Sequence, residues 1–384
     1  MTGFDLDAIT VETLRERRSV KWREFPPDVL PAFVAEMDFP LAPPIAAALH
    51  RAVDRSDTGY RSLVGLAEAF ALYADRSWQW GVDPADVTVV PDVVSGLVHA
   101  VATLTEPGAG VVVNPPVYHP FFTVISITKR TLVEVPMSRD TDGRYGLDLD
   151  GLADAFARPD VSAFLLCSPH NPTGTVPTRH ELEIIAELAD RHGVAVISDE
   201  IHAPLVLPGA THVPYLALAA PTARAVAVTS ASKAWNIPGL KCGQVISTPA
   251  LSSRISRRLP LAMSFGVGHL GVIAQIAAYM DGAEWLRRVN EVLDANRRRL
   301  VVDLSERVPD VGYIPPEASY LAWLDLNAWD LGPDPAEVIL ERARLALSPG
   351  LDFGSQGRGF ARLNFATSPG VLEEIVDRLA SVVQ

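Results

Sequence analysis

Cysteine is nearly absent from this 384-residue chain, with only Cys167 and Cys242 present. Two thiols cannot make the disulfide framework of a small secreted fold, and such usage fits a reducing cytoplasm. Positive charge is also in deficit: Lys and Arg number 33 against 46 Asp and Glu, a formal net charge of −13. So acidic a surface repels phosphate backbones and anionic lipid, which argues against nucleic acid and membrane surfaces as partners. Lysine is scarcer still. Lys21, Lys129, Lys233 and Lys241 are the whole complement. Arginine replaces lysine easily as a surface charge, but not where a neutral amine must act as nucleophile, so these four are candidates for chemistry. One charge-free stretch, Leu259 to Met280, is long enough to span a bilayer. It carries Pro260, three glycines, His269 and Gln275 and would be a lone mid-chain span, so it is expected to be buried in the protein. Asp5, Asp7 and Glu12 occupy the N-terminus without an apolar run, and no secretory leader is expected.

What is present is enough apolar residue for a large core: 48% of the chain, against 21% charged. That composition and length predict a soluble enzyme of two or three domains. From about residue 85 to 250, short β-branched runs alternate with amphipathic segments. The expected strands are Val87–Val90, Gly110–Asn114, Leu132–Val135, Ser162–Cys167, Val194–Ser198, Ala225–Thr229 and Gln244–Ser247. Arg179–His192 is the clearest intervening helix. Continuous apolar runs such as AFLLC and VAVIS suit strands buried on both faces. The expected architecture is α/β: a large domain with a mostly parallel sheet, then a smaller α+β domain. Residues 1–45 are assigned to an N-terminal segment joining the small domain, 46–282 to the large domain and 283–384 to the small one. The proline-rich stretch Pro26–Pro44 would be extended and cross between them.

In an open α/β sheet, ligands bind at the carboxyl ends of the strands. Tyr118, Asn171, Asp199 and Lys233 follow four of the expected strands there. An aromatic, an amide, a carboxylate and a lysine suit pyridoxal phosphate. The amine can hold the aldehyde as a Schiff base, and the carboxylate can keep the ring nitrogen protonated so that the ring acts as electron sink. The amide can donate to the ring hydroxyl and the aromatic can cover the ring face. The phosphate needs N–H groups at a helix start plus hydroxyls, which Ser95-Gly96-Leu97 with Ser230 and Ser232 could supply.

These residues sit in SPHNPTG (168–174), VISDEIHA (196–203) and SASKAWNIPGLK (230–241). With them the chain resembles the fold-type-I pyridoxal-phosphate enzymes related to aspartate aminotransferase. VKW (20–22), VAEMDFP (34–40), TGYRS (58–62), PPVYHPF (115–121) and FARLNFA (360–366) are similar to the cystathionine β-lyase/cystalysin group of C–S lyases. The resemblance implies a homodimeric enzyme acting on a small amino-acid substrate. Lys233 would carry the cofactor and move the proton at the substrate Cα. Asp199 would pair with the ring nitrogen, Asn171 and His202 would serve the ring hydroxyl, and Tyr118 would stack on the ring. Gly96, Leu97, Ser230 and Ser232 would hold the phosphate, joined by Tyr60 of a neighbouring subunit, with Lys241 where aminotransferases place an arginine. Arg362 would clamp the substrate carboxylate, and the Met37–Asp38 turn would line the substrate side. Glu36 stands where the group usually has aspartate, and Trp235 where phenylalanine is usual.

Other readings are weaker. Asp199 and Glu200 are neighbours on a strand end and point to opposite faces, so they are no acid/base pair. His202 has no second histidine at metal-ligand spacing. Gly266 to Gly271 spell a dinucleotide fingerprint, but no expected strand precedes them.

Overall fold

The computed structural model describes residues 5–383. At its centre is a seven-stranded sheet. Its strands are β1 (Val87–Val90), β2 (Gly110–Val113), β3 (Thr131–Glu134), β4 (Val161–Cys167), β5 (Ala195–Asp199), β6 (Ala225–Thr229) and β7 (Gly243–Ser247). Their spatial order is β1-β7-β6-β5-β4-β2-β3, and β7 alone runs antiparallel to its neighbours. Side chains alternate between two apolar layers. Val111, Val113, Leu165 and Ile197 enter one, while Val112, Phe164, Leu166 and Val196 enter the other. Burial on both faces is why these strands read as unbroken apolar runs.

Helix α1 (Val93–Leu104) follows β1 at once. Asp92 caps it by accepting the Ser95 N–H at 2.8 Å. Gly96 lets it lie against the sheet, since a Cβ there would meet Val228 Cγ1 at 2.7 Å. Helix α2 (Arg179–His192) has the predicted bounds, set by a Thr178/Glu181 capping box and by Gly193 at φ 68°. Two more, α3 (His269–Asp281) and α4 (Ala283–Arg307), lead to a second sheet. That sheet is antiparallel, with order β8 (Gly312–Tyr313), β9 (Leu321–Asp325), β11 (Phe360–Asn364), β10 (Ser348–Pro349). Helices α5 (Pro335–Ala343) and α6 (Pro369–Ala380) accompany it.

The N-terminal crossing is extended. Leu30–Pro31 pair in parallel with Leu345–Ala346, and the chain then runs irregularly past the end of the large sheet. Side chains replace the missing ladder. Arg362 and Ser348 donate to Phe33 O, Asn364 to Val34 O and Glu36 O, and Asn236 to Met37 O.

The stretch 259–280 departs from expectation in its first half. Leu261 and Phe265 are 70% and 62% exposed on a short helix, and burial begins at Val267. Among the described residues no helix is long and apolar enough to cross a membrane. The Gly266–Gly271 fingerprint has a packing cause: Cβ atoms at Gly268 and Gly271 would lie 2.3 and 2.2 Å from the Leu240 carbonyl oxygen. No strand precedes it.

Candidate active site

Strands β4, β5 and β6 are parallel and in register, so Cys167 lies opposite Asp199, and Asp199 opposite Val228. Whatever follows each strand therefore converges on one edge. A cavity of about 140 Å³ opens there, lined by Tyr118, Asn171, Asp199, His202, Lys233 and Arg362, with Ala35, Val93 and Cys167 between them. Five of these six come from the large sheet's end, and Arg362 comes from β11 of the second sheet. A larger cleft of about 330 Å³ lies elsewhere, beside Arg144 and Glu317, but those charges satisfy each other at 2.6 Å.

The Lys233 amine donates to Ala35 O at 2.8 Å. Burial lowers its pKa from 10.5 to about 8, helped by the nearby Arg362 cation. A large fraction is then neutral near pH 8, as an amine nucleophile requires. Asp199 is buried, and burial raises its carboxyl to about 7, with the neighbouring Glu200 charge adding to the rise; the Ile201 N–H at 3.2 Å opposes both. The Lys233 charge opposes the rise too, but no cation is ion-paired with Asp199 among the described residues. Glu200 turns away, taking the Ser198 hydroxyl and the Tyr215 N–H at 2.9 Å each.

Arg362 is buried, and its pKa falls to about 10 through that burial. Nη1 donates to Asn171 Oδ1, and Nη2 to Phe33 O and Ser348 Oγ, each at 3.0 Å. Its Nε has no partner among the described residues. The Asn171 oxygen is thus taken, which leaves its NH₂ as the donor facing the cavity side. His202 is equally enclosed, with burial and the Lys233 and Arg362 cations pushing its pKa down to about 3, and its Nδ1 is unpartnered. It is a neutral imidazole. Burial raises the Tyr118 phenol, so it stays protonated beside Asp199.

None of the expected phosphate residues lines this cavity, although Val93, the first residue of α1, and Lys233, next to Ser232, do. Gly96 N–H returns to Asp92 O at 3.0 Å and belongs to the helix ladder, so the first-turn N–H groups of Val93 and Val94 are those α1 leaves free. Ser95 N–H is held by Asp92, and Leu97 is core. Ser230 Oγ donates to Cys242 O at 2.6 Å and accepts from Ser232 N–H at 3.0 Å, which shapes the loop before Lys233. Lys241 Nζ lies 3.1 Å from Asp92 Oδ2.

Besides those phosphate residues, three more expected residues lie off the cavity lining. Met37 is fully buried, and Asp38 is locked to Lys21 Nζ at 2.7 Å and Trp22 Nε1 at 3.1 Å. Tyr60 is 94% exposed and lines a separate surface hollow with Phe265 and His269.

Sequence reading missed Ala35, whose carbonyl holds the lysine; Ser348, which orients Arg362; and Asp92. For Asp92 a signal existed, an acidic residue three before Ser95 at a strand-to-helix junction. Ala35 and Ser348 left no signal, because one acts through its backbone and the other is a single hydroxyl. Cys167, expected as a buried strand residue, is that and also cavity wall. Its Sγ accepts the Asn171 N–H at 3.4 Å, tying the Asn171 loop to the strand.

The site fits pyridoxal phosphate on its own terms. A buried amine of lowered pKa, a carboxylate with no ion-pair partner among the described residues, an amide and an imidazole line one small space. No group of three or more His, Cys, Asp and Glu among the described residues could hold a metal ion.

Comparison with known proteins agrees. The profile of the aminotransferase class I and II family matches residues 36–379. A Mycobacterium leprae protein provisionally named a cystathionine beta-lyase is 44% identical, covering 99% of this chain and 98% of that one. The cystathionine beta-lyase PatB of Bacillus subtilis is 35% identical, covering 95% and 97%. Cystalysin from Treponema denticola, solved with pyridoxal 5′-phosphate, superposes with a TM-score of 0.89 at 28% identity, covering 95% of each chain.

Proposed function

This chain belongs to the class I and II aminotransferase family, and from that premise we propose that it is a pyridoxal-phosphate-dependent C–S β-lyase. Its reaction is the α,β-elimination of cystathionine, or of other cysteine S-conjugates, to pyruvate, ammonia and a thiol. The observation that carries the reading is the meeting of Lys233, Asp199 and Arg362 in one cavity, in a chain whose full-length relatives are named cystathionine beta-lyases.

Lys233 is the amine that would hold the cofactor aldehyde, with Asp199 at the ring nitrogen and Tyr118 over the ring. Asn171 and His202 would serve the ring hydroxyl. The first turn of α1, running into Ser95, Gly96 and Leu97, would take the phosphate together with Ser230, Ser232 and Lys241. Pyridoxal phosphate, when bound, supplies the electron sink that makes the substrate Cα–H acidic. Arg362 takes the substrate α-carboxylate, for which its unpartnered Nε is a ready donor. That clamp would aim the Cα–H at Lys233, whose neutral amine would accept the proton. The Cβ–S bond then breaks with its electron pair leaving on sulfur. Overall one water would be consumed, and pyruvate, ammonia and the thiol would be released.

A homodimer is part of the reading. Tyr60, Val64, Leu261 and Phe265 are 94%, 86%, 70% and 62% exposed, an apolar face that a second copy would cover while Tyr60 reached the neighbouring site. The division into segments 1–45, 46–282 and 283–384 belongs to it too, supported by the two separate sheets. The two buried unpaired cysteines favour a cytoplasmic setting.

A second reading, aminotransferase action on an amino acid and a 2-oxo acid, is favoured by Lys241 at the phosphate side. The test is the absorbance spectrum of the purified protein, followed by L-cystathionine with a coupled pyruvate assay. Visible absorbance with steady pyruvate release supports the lyase. Conversion of the cofactor to its amine form without pyruvate supports the aminotransferase. No visible absorbance after reconstitution with pyridoxal phosphate rejects both.

A further inference from the structure

We propose that Asp92 competes with the cofactor phosphate for that phosphate's own binding groups, and so sets how tightly the cofactor is held. The inference rests on the cofactor reading above. Asp92 stands at the junction of β1 and α1. One carboxylate oxygen takes the Ser95 N–H at 2.8 Å and the other takes the Lys241 ammonium at 3.1 Å. A helix N-terminus and a nearby ammonium are the donors that bind a phosphate. At this end of the site a carboxylate already engages one of each.

The strand order makes the pair unavoidable. Because β7 runs antiparallel beside β1, Gly243 lies in register with Val90. The residues just before Gly243 therefore meet those just after Val90. Gly243 permits the approach, since a Cβ there would come within 3.0 Å of the Asp92 carbonyl carbon. Asp92 is 37% and Lys241 57% exposed, and Val93, next to Asp92, lines the cavity.

Two consequences follow for an arriving phosphate. It finds the Ser95 N–H and Lys241 engaged, and it meets a like charge at the same helix end. Lys241 offsets that charge, but while it is held by Asp92 it is drawn away from the phosphate. Asn at position 92 would keep the helix cap, which Asn and Asp provide equally well, and would remove the charge.

The experiment measures the dissociation constant of pyridoxal phosphate from the apoprotein by equilibrium dialysis at low ionic strength. It compares wild type, D92N, K241M and the double variant, with pyridoxal, which lacks the phosphate, as control ligand. D92N is expected to bind pyridoxal phosphate about two- to fivefold tighter and K241M more weakly by a similar factor, as befits a half-exposed pair. The double variant should fall between them, near wild type. Pyridoxal binding should not move, and the differences should shrink at about 1 M salt. If D92N binds pyridoxal phosphate no tighter than wild type, or pyridoxal shifts equally, the proposal is overturned. So it is if the double variant is as weak as K241M, because removing Asp92 then frees nothing at the helix end for the phosphate. Should K241M not fold, D92N with the pyridoxal control decides alone. Wild-type apoprotein that fails to bind pyridoxal phosphate at all overturns both this proposal and the cofactor reading, whereas normal wild-type binding with unmoved variants overturns this one only.

Discussion

Lys233 and Tyr320 meet at one atom: both donate to the carbonyl oxygen of Ala35, from 2.8 and 3.0 Å. The amine follows β6, the tyrosine immediately precedes β9 of the second sheet, and the carbonyl belongs to the N-terminal crossing. Three distant parts of the chain thus fix one nitrogen. The acceptor is a neutral carbonyl, so the amine is positioned without a carboxylate bonded to it, and burial keeps its pKa low.

Capture of pyridoxal phosphate by the apoprotein should therefore speed up with pH through about 8, where Lys233 loses its proton. An ordinary lysine would titrate near 10.5. Stopped-flow growth of the visible absorbance across pH 6.5 to 10.5 reads the midpoint, and a midpoint close to that of free lysine would contradict the site's description. K233A should lose both the absorbance and turnover.

Asp199 makes the apoprotein sensitive to pH in the opposite sense from most carboxylates. Its folded pKa is raised to about 7 from 3.8, so the folded state binds more protons than the unfolded chain between those values. Stability from this group is fully present below about pH 4 and is lost as pH rises through about 7. In D199N that loss should vanish, flattening the apoprotein's denaturation midpoint between pH 4.5 and 7.5 relative to wild type. An equal slope in both proteins would show that Asp199 is not the group responsible.

R362K keeps the charge but loses the fork. The guanidinium spans Asn171, Ser348 and Phe33 at once, and an ammonium cannot hold all three while receiving a carboxylate. We expect kcat/KM for cystathionine to fall by about 10- to 100-fold, as loss of a charge-assisted hydrogen bond implies. Steady-state kinetics should place most of that loss in KM; an unchanged KM would remove Arg362 from the carboxylate site.

Asp38 is a structural residue, held by Lys21 and Trp22. D38N would strand the buried Lys21 ammonium and should destabilise the fold by about 3–5 kcal/mol. Chemical denaturation of the apoprotein measures this. A loss below about 1 kcal/mol would mean that water reaches the pair.

Much of this was legible in the linear chain, for local reasons. The Arg179–His192 helix announced both of its ends, with a capping Thr178 and a terminating Gly193. Strands buried on both faces betrayed themselves as unbroken apolar runs, and parallel strands send their following loops to one edge. Tyr118, Asn171, Asp199 and Lys233 could therefore be gathered by counting strand ends. Arg362 needed the family resemblance, since one arginine on a short strand carries no mark of its own. The Met37–Asp38 turn, expected to face the substrate, shows the opposite limit. Position near the site is written in the sequence, but the direction of a side chain in an irregular segment depends on which partner it finds, and Asp38 finds Lys21.

The sequence by itself determined the fold class, the strand ends and the inventory of chemical groups, because periodicity, capping and apolar runs act over a few residues. Only the tertiary structure decided which of those groups are free to act. The Ala35 carbonyl, 198 positions from Lys233, became its partner, and an antiparallel strand carried Lys241 to Asp92 across 149 positions. Contacts that distant are set by strand order and packing of the whole chain, which no local pattern encodes.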